Sequence, residues 1–185
     1  MSDTRLETRA VLLAQSGDRA ALDDLFRAVE APLRRYILSL VGRADMAEDI
    51  LQDVFVLIYR KLYWLREPAL LRPWAYRVAS REVVRQLKKS RRWPEQFADE
   101  AGADAFVAES PGEEFRPELR ERLPEMLARV SPASRMVLVL HYLEEMALPE
   151  VGDVLGLPLG TVKSRLAYGL AALRKEVGKY DAAPP

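Results

Sequence analysis

Cysteine is missing from all 185 residues, and histidine occurs once, at His141. The first absence excludes a disulfide framework, a thiolate metal site and a cysteine nucleophile. The second excludes a metal site built on several histidines, so neither a metal nor a cofactor is expected. No apolar run approaches the roughly 20 residues that cross a bilayer. The opening stretch MSDTRLETRAVLLAQSGD scatters charges where a secretory signal would hold an uninterrupted apolar core. A soluble, cytoplasmic chain is the expectation. Two-residue apolar alternation is absent as well, which argues against strands.

What is present is a foldable composition with an uneven charge distribution. Hydrophobic residues make up 49% of the chain, enough to bury a real core. Lysine plus arginine and aspartate plus glutamate balance at 28 each. Along the chain they separate: residues 1–65 hold 9 basic against 10 acidic, 66–93 hold 9 against 2, 94–126 hold 3 against 10, and 127–185 hold 7 against 6. The blocks net −1, +7, −7 and +1. A concentrated basic block is the signature of a polyanionic partner.

Apolar residues recur at three and four, as in Ile50, Val54, Leu57 and Ile58, which predicts helices throughout. They are expected near 4–15, 18–30, 33–41, 45–62, 72–91, 119–128, 132–143, 149–155 and 159–177. Between Trp93 and Pro117 the text turns to WPEQFADEAGADAFVAESPGEEFRP, rich in acid, alanine, glycine and proline. This reads as a linker. The expected fold is therefore all-α: two small helical domains, 1–93 and 118–180, joined by a flexible acidic linker over 94–117. Its negative charge is expected to shield the basic block and reduce stray binding to polyanions.

In the second half, Ser131 before Pro132 has the form of a helix start, a capping hydroxyl followed by proline at the first position. Pro149 opens the next helix, which stops at Gly156, and a longer helix restarts at Pro158 or Leu159. A short helix, a glycine turn and a long helix make a helix-turn-helix. At about 100° per residue, Val162, Leu166, Leu170, Leu173 and Val177 fall within about 80° of one another and form a buried stripe. Opposite lie Thr161, Ser164 and Tyr168, flanked by Lys163 and Arg165, at the end where a recognition helix meets base edges. Geometry alone leaves open an ordinary helical hairpin with a solvated face. Gly152, Gly156 and Gly160 recur every four residues, but Asp153 and Pro158 interrupt the run and exclude membrane helix packing.

The stretch LPEVGDVLGLPLGTVKSRLAYGLAALRK, LPLGTVKSRL above all, resembles the second half of region four in extracytoplasmic-function sigma factors. The resemblance implies that this helix reads the minus-thirty-five promoter element through Thr161, Lys163, Ser164, Arg165 and Tyr168. Relatives commonly follow KSRL with further arginines, whereas this chain continues Ala167, Tyr168, Gly169, Leu170, which implies fewer phosphate contacts. Gly169, taken as exposed, costs the helix about 1 kcal/mol relative to alanine.

The first half carries DLFRAVEAPLRRYILSLVGRADMAEDILQDVFVLIYRKL, where Asp45 is a candidate cap and Asp49 and Asp53, with Glu48 and Gln52 beside them, form an acidic helical face. On residues alone a solvated surface is the preferred reading, since charged helical faces are usually just exposed. The segment AEDILQDVF resembles region two of the same family. That resemblance implies docking on the largest subunit of core RNA polymerase through Asp49, Gln52, Asp53 and Phe55.

The next helix places Arg77, Arg81, Arg85 and Lys89 at steps of four, with Lys88, Arg91 and Arg92 extending a broad basic side suited to phosphate backbones. Ahead of it, YWLREPALLRPWAY sets Tyr63, Trp64, Trp74 and Tyr76 around a proline-bounded loop. Aromatics beside positive charge suit unstacked bases, although Trp64 and Trp74 as core filling stay open. The resemblance implies that this helix and loop hold the melted minus-ten element, with Trp64, Arg72, Trp74, Arg77, Arg81, Arg85, Lys88 and Lys89 as contacts and Leu65 to Arg72 as the base-capturing loop. Many relatives have asparagine and aspartate where Arg81 and Arg85 stand, so the preferred minus-ten sequence does not follow.

The expected function is a sigma factor that binds core RNA polymerase and promoter DNA and has no catalytic activity. An anti-sigma partner is left open. The rivals are a stand-alone helix-turn-helix regulator and an enzyme, the latter without a nucleophile elbow or phosphate loop to support it.

Overall fold

The computed structural model describes residues 2–90 and 117–181, and the expected linker falls almost wholly outside them. All elements among the described residues are helical. They are α1 (Ser2–Gln15), α2 (Arg19–Val41), α3 (Ala44–Lys61), α4 (Leu71–Lys89), α5 (Pro117–Arg129), α6 (Pro132–Leu138), α7 (Leu148–Leu155) and α8 (Leu159–Asp181). Two single 3-10 turns, Leu62–Trp64 and Pro68–Leu70, bridge α3 and α4, and a π turn, Val139–Leu143, extends α6.

Helix ends follow local chemistry. Asp18 caps α2 by accepting from Ala20 N at 2.9 Å and Ala21 N at 3.2 Å. Ser131 caps α6 by accepting from Ser134 N at 3.3 Å, and Pro132 takes the first helical position. Asp45 does not cap α3. The cap position is Arg43, and Asp45 sits in the first turn paired with the Arg43 guanidinium, which holds its carboxyl below the usual range.

Helix continuity differs from expectation at two places. The chain does not stop between residues 30 and 33: α2 runs unbroken through Pro32. An interior proline costs about 3 kcal/mol, but the stripe Leu25, Val29, Leu33, Tyr36, Ile37 and Leu40 is buried on both sides of it. At about 1.5–3 kcal/mol per large apolar side chain, that burial outweighs the lost bond. After Leu138 the helix widens into the π turn, where Glu144 N donates to Val139 O at 3.1 Å and Met146 N to Leu140 O at 3.0 Å. His141 Nδ1–H donates to Met146 O at 2.8 Å and fixes that turn.

In the first half, α2 packs on α1, α3 and α4 around fully buried Tyr36, Ile37, Val54, Ile58, Ala79 and Val83. Tyr36 stands edge-on to Tyr76, with ring centres 5.2 Å apart, and shares a 2.6 Å hydrogen bond with Ser80. In the second half, α6 packs on α8 and α7 on α8 around Val137, Leu140, Val151 and Val162. The halves also meet: α2 touches α5 and α6, and α4 touches α7, so the buried side chains form one continuous cluster.

Gly169 is buried rather than exposed. A Cβ there would lie 2.7 Å from Leu138 Cδ1 and 2.9 Å from its Cγ, so glycine is what lets α8 approach α6. Gly169→Ala should lower stability by about 1–2 kcal/mol, because overpacking at about 1–3 kcal/mol exceeds a helix-propensity gain of up to about 1 kcal/mol. Gly160→Ala, whose Cβ would meet no atom within 4 Å, should instead raise stability by about 0.5–1 kcal/mol. Denaturant unfolding of the two variants checks both signs.

Candidate nucleic-acid interface

The corner between α7 and α8 is built by backbone chemistry. Gly156 adopts φ 68°, a left-handed cap that costs a side-chain-bearing residue strain, and its N–H returns to Gly152 O. Leu157 N also donates to Gly152 O, at 2.9 Å, so the chain reverses within two residues. At the other end of α7, Glu150 accepts from Ala147 N at 2.8 Å. From this corner α8 presents two sides. Val162 is fully buried and Leu166, Leu170 and Leu173 pack against the core. Lys163 and Tyr168 are exposed, and Thr161, Ser164 and Arg165 are half-buried, with Ser164 Oγ donating to Gly160 O at 3.1 Å.

Along α4 the basic side divides by partner. Arg81, Lys88 and Lys89 are exposed. Arg85 is also exposed but bonded: its guanidinium meets Glu82, a buried carboxylate on its own helix, at 2.5 Å and Asp53 of α3 at 3.2 Å. Arg72 is exposed and lies 3.9 Å from Glu7 of α1. Before α4, Trp64 is 79% and Tyr63 74% exposed, so neither fills the core. Trp74 is half-buried and packs against it.

On α3, Asp49, Gln52 and Asp53 are exposed. Phe55 is half-buried, its ring 5.2 Å from that of Phe26. Glu48, beside this acidic row, is bound by Arg34 at 2.5 Å, and the same guanidinium holds Glu30 at 2.7 Å.

Contacts that sequence reasoning did not foresee join the two halves. Tyr76 of α4 donates its hydroxyl to Glu144, which lies in the turn where Glu145 takes a positive φ of 55°. Arg77 Nη2 donates to Asp153 O, at the end of α7, at 2.6 Å. Arg135 Nη1 donates to Leu40 O at 2.7 Å, while its Nη2 donates to Ala128 O at 2.9 Å and Val130 O at 2.8 Å. The only hint of Arg135 in the sequence is a lone charge inside the apolar run SRMVLVL.

These features belong to a recognised architecture. The sigma-70 region 2 family matches residues 14–93, and the sigma-70 region 4 family matches residues 126–175. The chain is 31% identical over 168 residues to the ECF RNA polymerase sigma factor SigL of Mycobacterium tuberculosis, covering 86% of this chain and 92% of that one. It is 26% identical over 174 residues to the ECF RNA polymerase sigma factor SigW of Bacillus subtilis, covering 88% of this chain and 92% of that one. Among solved structures, CnrH in complex with the cytosolic domain of CnrY has the same fold, with a TM-score of 0.69 at 22% identity over 94% of this chain and 98% of that one. The sigma factor RpoE of Bartonella quintana, in complex with the anti-sigma factor NepR, gives 0.65 at 22% identity over 85% of this chain and 96% of that one.

The chain belongs to the extracytoplasmic-function sigma factors of the sigma-70 family. It directs RNA polymerase to promoters, and the bend at Gly156 is the corner of the region 4 helix-turn-helix.

The junction of the halves titrates in alkali. Burial, with help from Glu144, pushes the phenols of Tyr36 and Tyr76 well above their ordinary 10.0. Burial pulls Arg135 from 12.5 down to about 10. Above pH 10 the unfolded chain sheds two phenol protons that the folded chain keeps, which lowers stability as pH rises. Arg135 acts oppositely, because its folded form releases a proton first. The net approaches one proton only above about pH 11, so stability should begin to fall near pH 10 and steepen toward about 1.4 kcal/mol per pH unit. Tyr36→Phe should flatten that slope, as read by denaturant unfolding across the alkaline range.

Proposed function

We propose that the two halves act as separate grips of one initiation factor: 1–93 on core polymerase and the minus-ten element, 118–180 on the minus-thirty-five element, and 94–117 as the tether between them. One observation carries this reading. The first turns of α8 expose Lys163 beside a fully buried Val162, directly after the backbone corner at Gly156. Thr161, Ser164, Arg165 and Tyr168 complete the minus-thirty-five contact. Trp64, Arg72, Trp74, Arg77, Arg81, Arg85, Lys88 and Lys89 serve the minus-ten strand, and Asp49, Gln52, Asp53 and Phe55 serve the polymerase.

Arg77 is engaged by Asp153 O and Tyr76 by Glu144, so use of this side of α4 on DNA requires the halves to part. Coupling two weak grips through one partner gives avidity without strong binding by either alone. The work is binding and strand holding in the cytoplasm, with no covalent chemistry. An anti-sigma partner belongs to the same proposal, since both solved relatives are held in complexes, one with a protein described as an anti-sigma factor.

Run-off transcription with purified core polymerase on a genomic promoter library tests this. The chain should convert core enzyme into promoter-specific initiation. Lys163→Ala should weaken holoenzyme binding to duplex promoter and reduce the salt slope by about one ion. Trp64→Ala should leave duplex binding intact and reduce strand opening by roughly 5- to 150-fold, the range of one lost base stack at about 1–3 kcal/mol. Nanomolar occupancy of duplex sites by the chain alone, without association with polymerase, would overturn the reading.

A further inference from the structure

The region 2 match begins at residue 14, so α1 lies almost entirely ahead of it. Its last residue nevertheless reaches the loop that carries the exposed aromatics. Gln15 Nε2 donates to Leu62 O at 2.8 Å and to Leu65 O at 2.9 Å. These are the two carbonyls that bracket Tyr63 and Trp64. One amide nitrogen has two hydrogens, so both bonds form at once. Leu65 N adds a third bond to Leu62 O at 3.0 Å.

The side chains on either side point inward. Leu62 is buried and Leu65 packs against the core. Gln15 is itself half-buried, and Val11, one turn earlier on α1, is fully buried. The turn is thus tied at both ends to a packed helix, while the two rings between the ties stand in solvent. A three-residue 3-10 turn has one internal hydrogen bond and little stiffness of its own. Stacking a displaced base on a side chain that is already fixed avoids the entropy of ordering it at the moment of binding.

We propose that Gln15 is a positioning residue for strand holding: by clamping the carbonyls of Leu62 and Leu65 it fixes the turn that presents Trp64 to an unstacked DNA base. This rests on the reading above that Trp64 meets the melted strand. The ligand class is a single-stranded nucleobase. Gln15 touches no DNA and acts only through the backbone of the turn. Glu7 of α1, 3.9 Å from Arg72, adds a weaker tie at the far end of the same loop.

The test uses the full chain assembled with core polymerase. The probe is a single strand bearing the non-template minus-ten sequence of a promoter recovered by the library experiment. Gln15→Met keeps the length and apolar packing but removes both donated bonds, and Gln15→Glu keeps the shape but turns a carboxylate toward two carbonyls. Each should weaken strand binding about tenfold, as expected for two hydrogen bonds, with polymerase affinity unchanged and thermal unfolding lowered only by the loss of those two bonds. Gln15→Lys, which restores an N–H donor of similar reach, should recover most of the loss. In a Trp64→Ala background, Gln15→Met should add nothing, since both changes act through the same ring.

Additive losses would overturn the proposal, as would a loss matched by an equal loss of polymerase affinity. If Trp64→Ala weakens strand binding and both Gln15→Met and Gln15→Glu bind like wild type, the clamp is wrong and the loop reading stands. If Trp64→Ala has no effect, the loop reading itself fails.

Discussion

The contact on which the relation of the two halves turns is a buried cation with no anion beside it among the described residues. Arg135 is 7% exposed and bonded to three main-chain carbonyls, two from the α5–α6 corner of its own half and one, Leu40 O, from the last turn of α2. Its Nε is buried with no partner among the described residues. Carbonyls at a helix end carry partial negative charge and suit a guanidinium. They do not repay full desolvation as a carboxylate would, which is why burial lowers the pKa. An apolar contact at this position would gain throughout on burial. Here part of the gain is cancelled, and when the halves separate Arg135 keeps its two local bonds and regains water. At this contact the junction is ordered in direction and modest in strength.

The same restraint governs the acidic side of α3. Glu48 is taken by Arg34 and Asp53 by Arg85, both in exposed pairs that contribute little to stability. These pairs remove neighbouring like charge from around Asp49 and leave a mixed row rather than a uniform one. Arg85 gains a second role. Read from sequence it belongs to the phosphate-binding side of α4, yet its closest partner is the buried carboxylate Glu82 on its own helix. A guanidinium with five donors can serve both, holding Glu82 with some while others face outward.

What the sequence makes legible is what local chemistry decides. The corner at Gly156 and the starts at Ser131 and Pro149 depend on residues within a turn of one another, and the buried stripe of α8 depends only on period. Three features escape such reading for one reason. Continuation of α2 through Pro32 needs the burial that α3 and α4 supply. The need for glycine at position 169 appears only when Leu138 is laid against it. The bonds Tyr76–Glu144, Arg77–Asp153 and Arg135–Leu40 join residues 68, 76 and 95 apart in sequence, and their acceptors include main-chain oxygens that carry no residue-type signal. Gln15 escapes likewise, being one polar residue in a polar stretch until the loop after α3 is brought to it. The face assignments of Trp64 and Trp74 needed the fold, because tryptophan is equally at home packed or half wet.

A protein that must expose aromatics and cations to a partner has to keep them from collapsing onto its own core, and here adjacency does that. Successive helical residues point about 100° apart, so an exposed polar side chain beside a buried anchor cannot turn inward without dragging the anchor out. Lys163 follows Val162, Asp53 precedes Val54, Arg81 follows Ser80, and each anchor is at most 3% exposed. Trp64 lies two residues after buried Leu62, outside any α-helix, where the period gives no such guarantee. The carbonyls on either side of it are instead tied down from another helix. Where helical geometry cannot hold a side chain outward, a side-chain amide takes over.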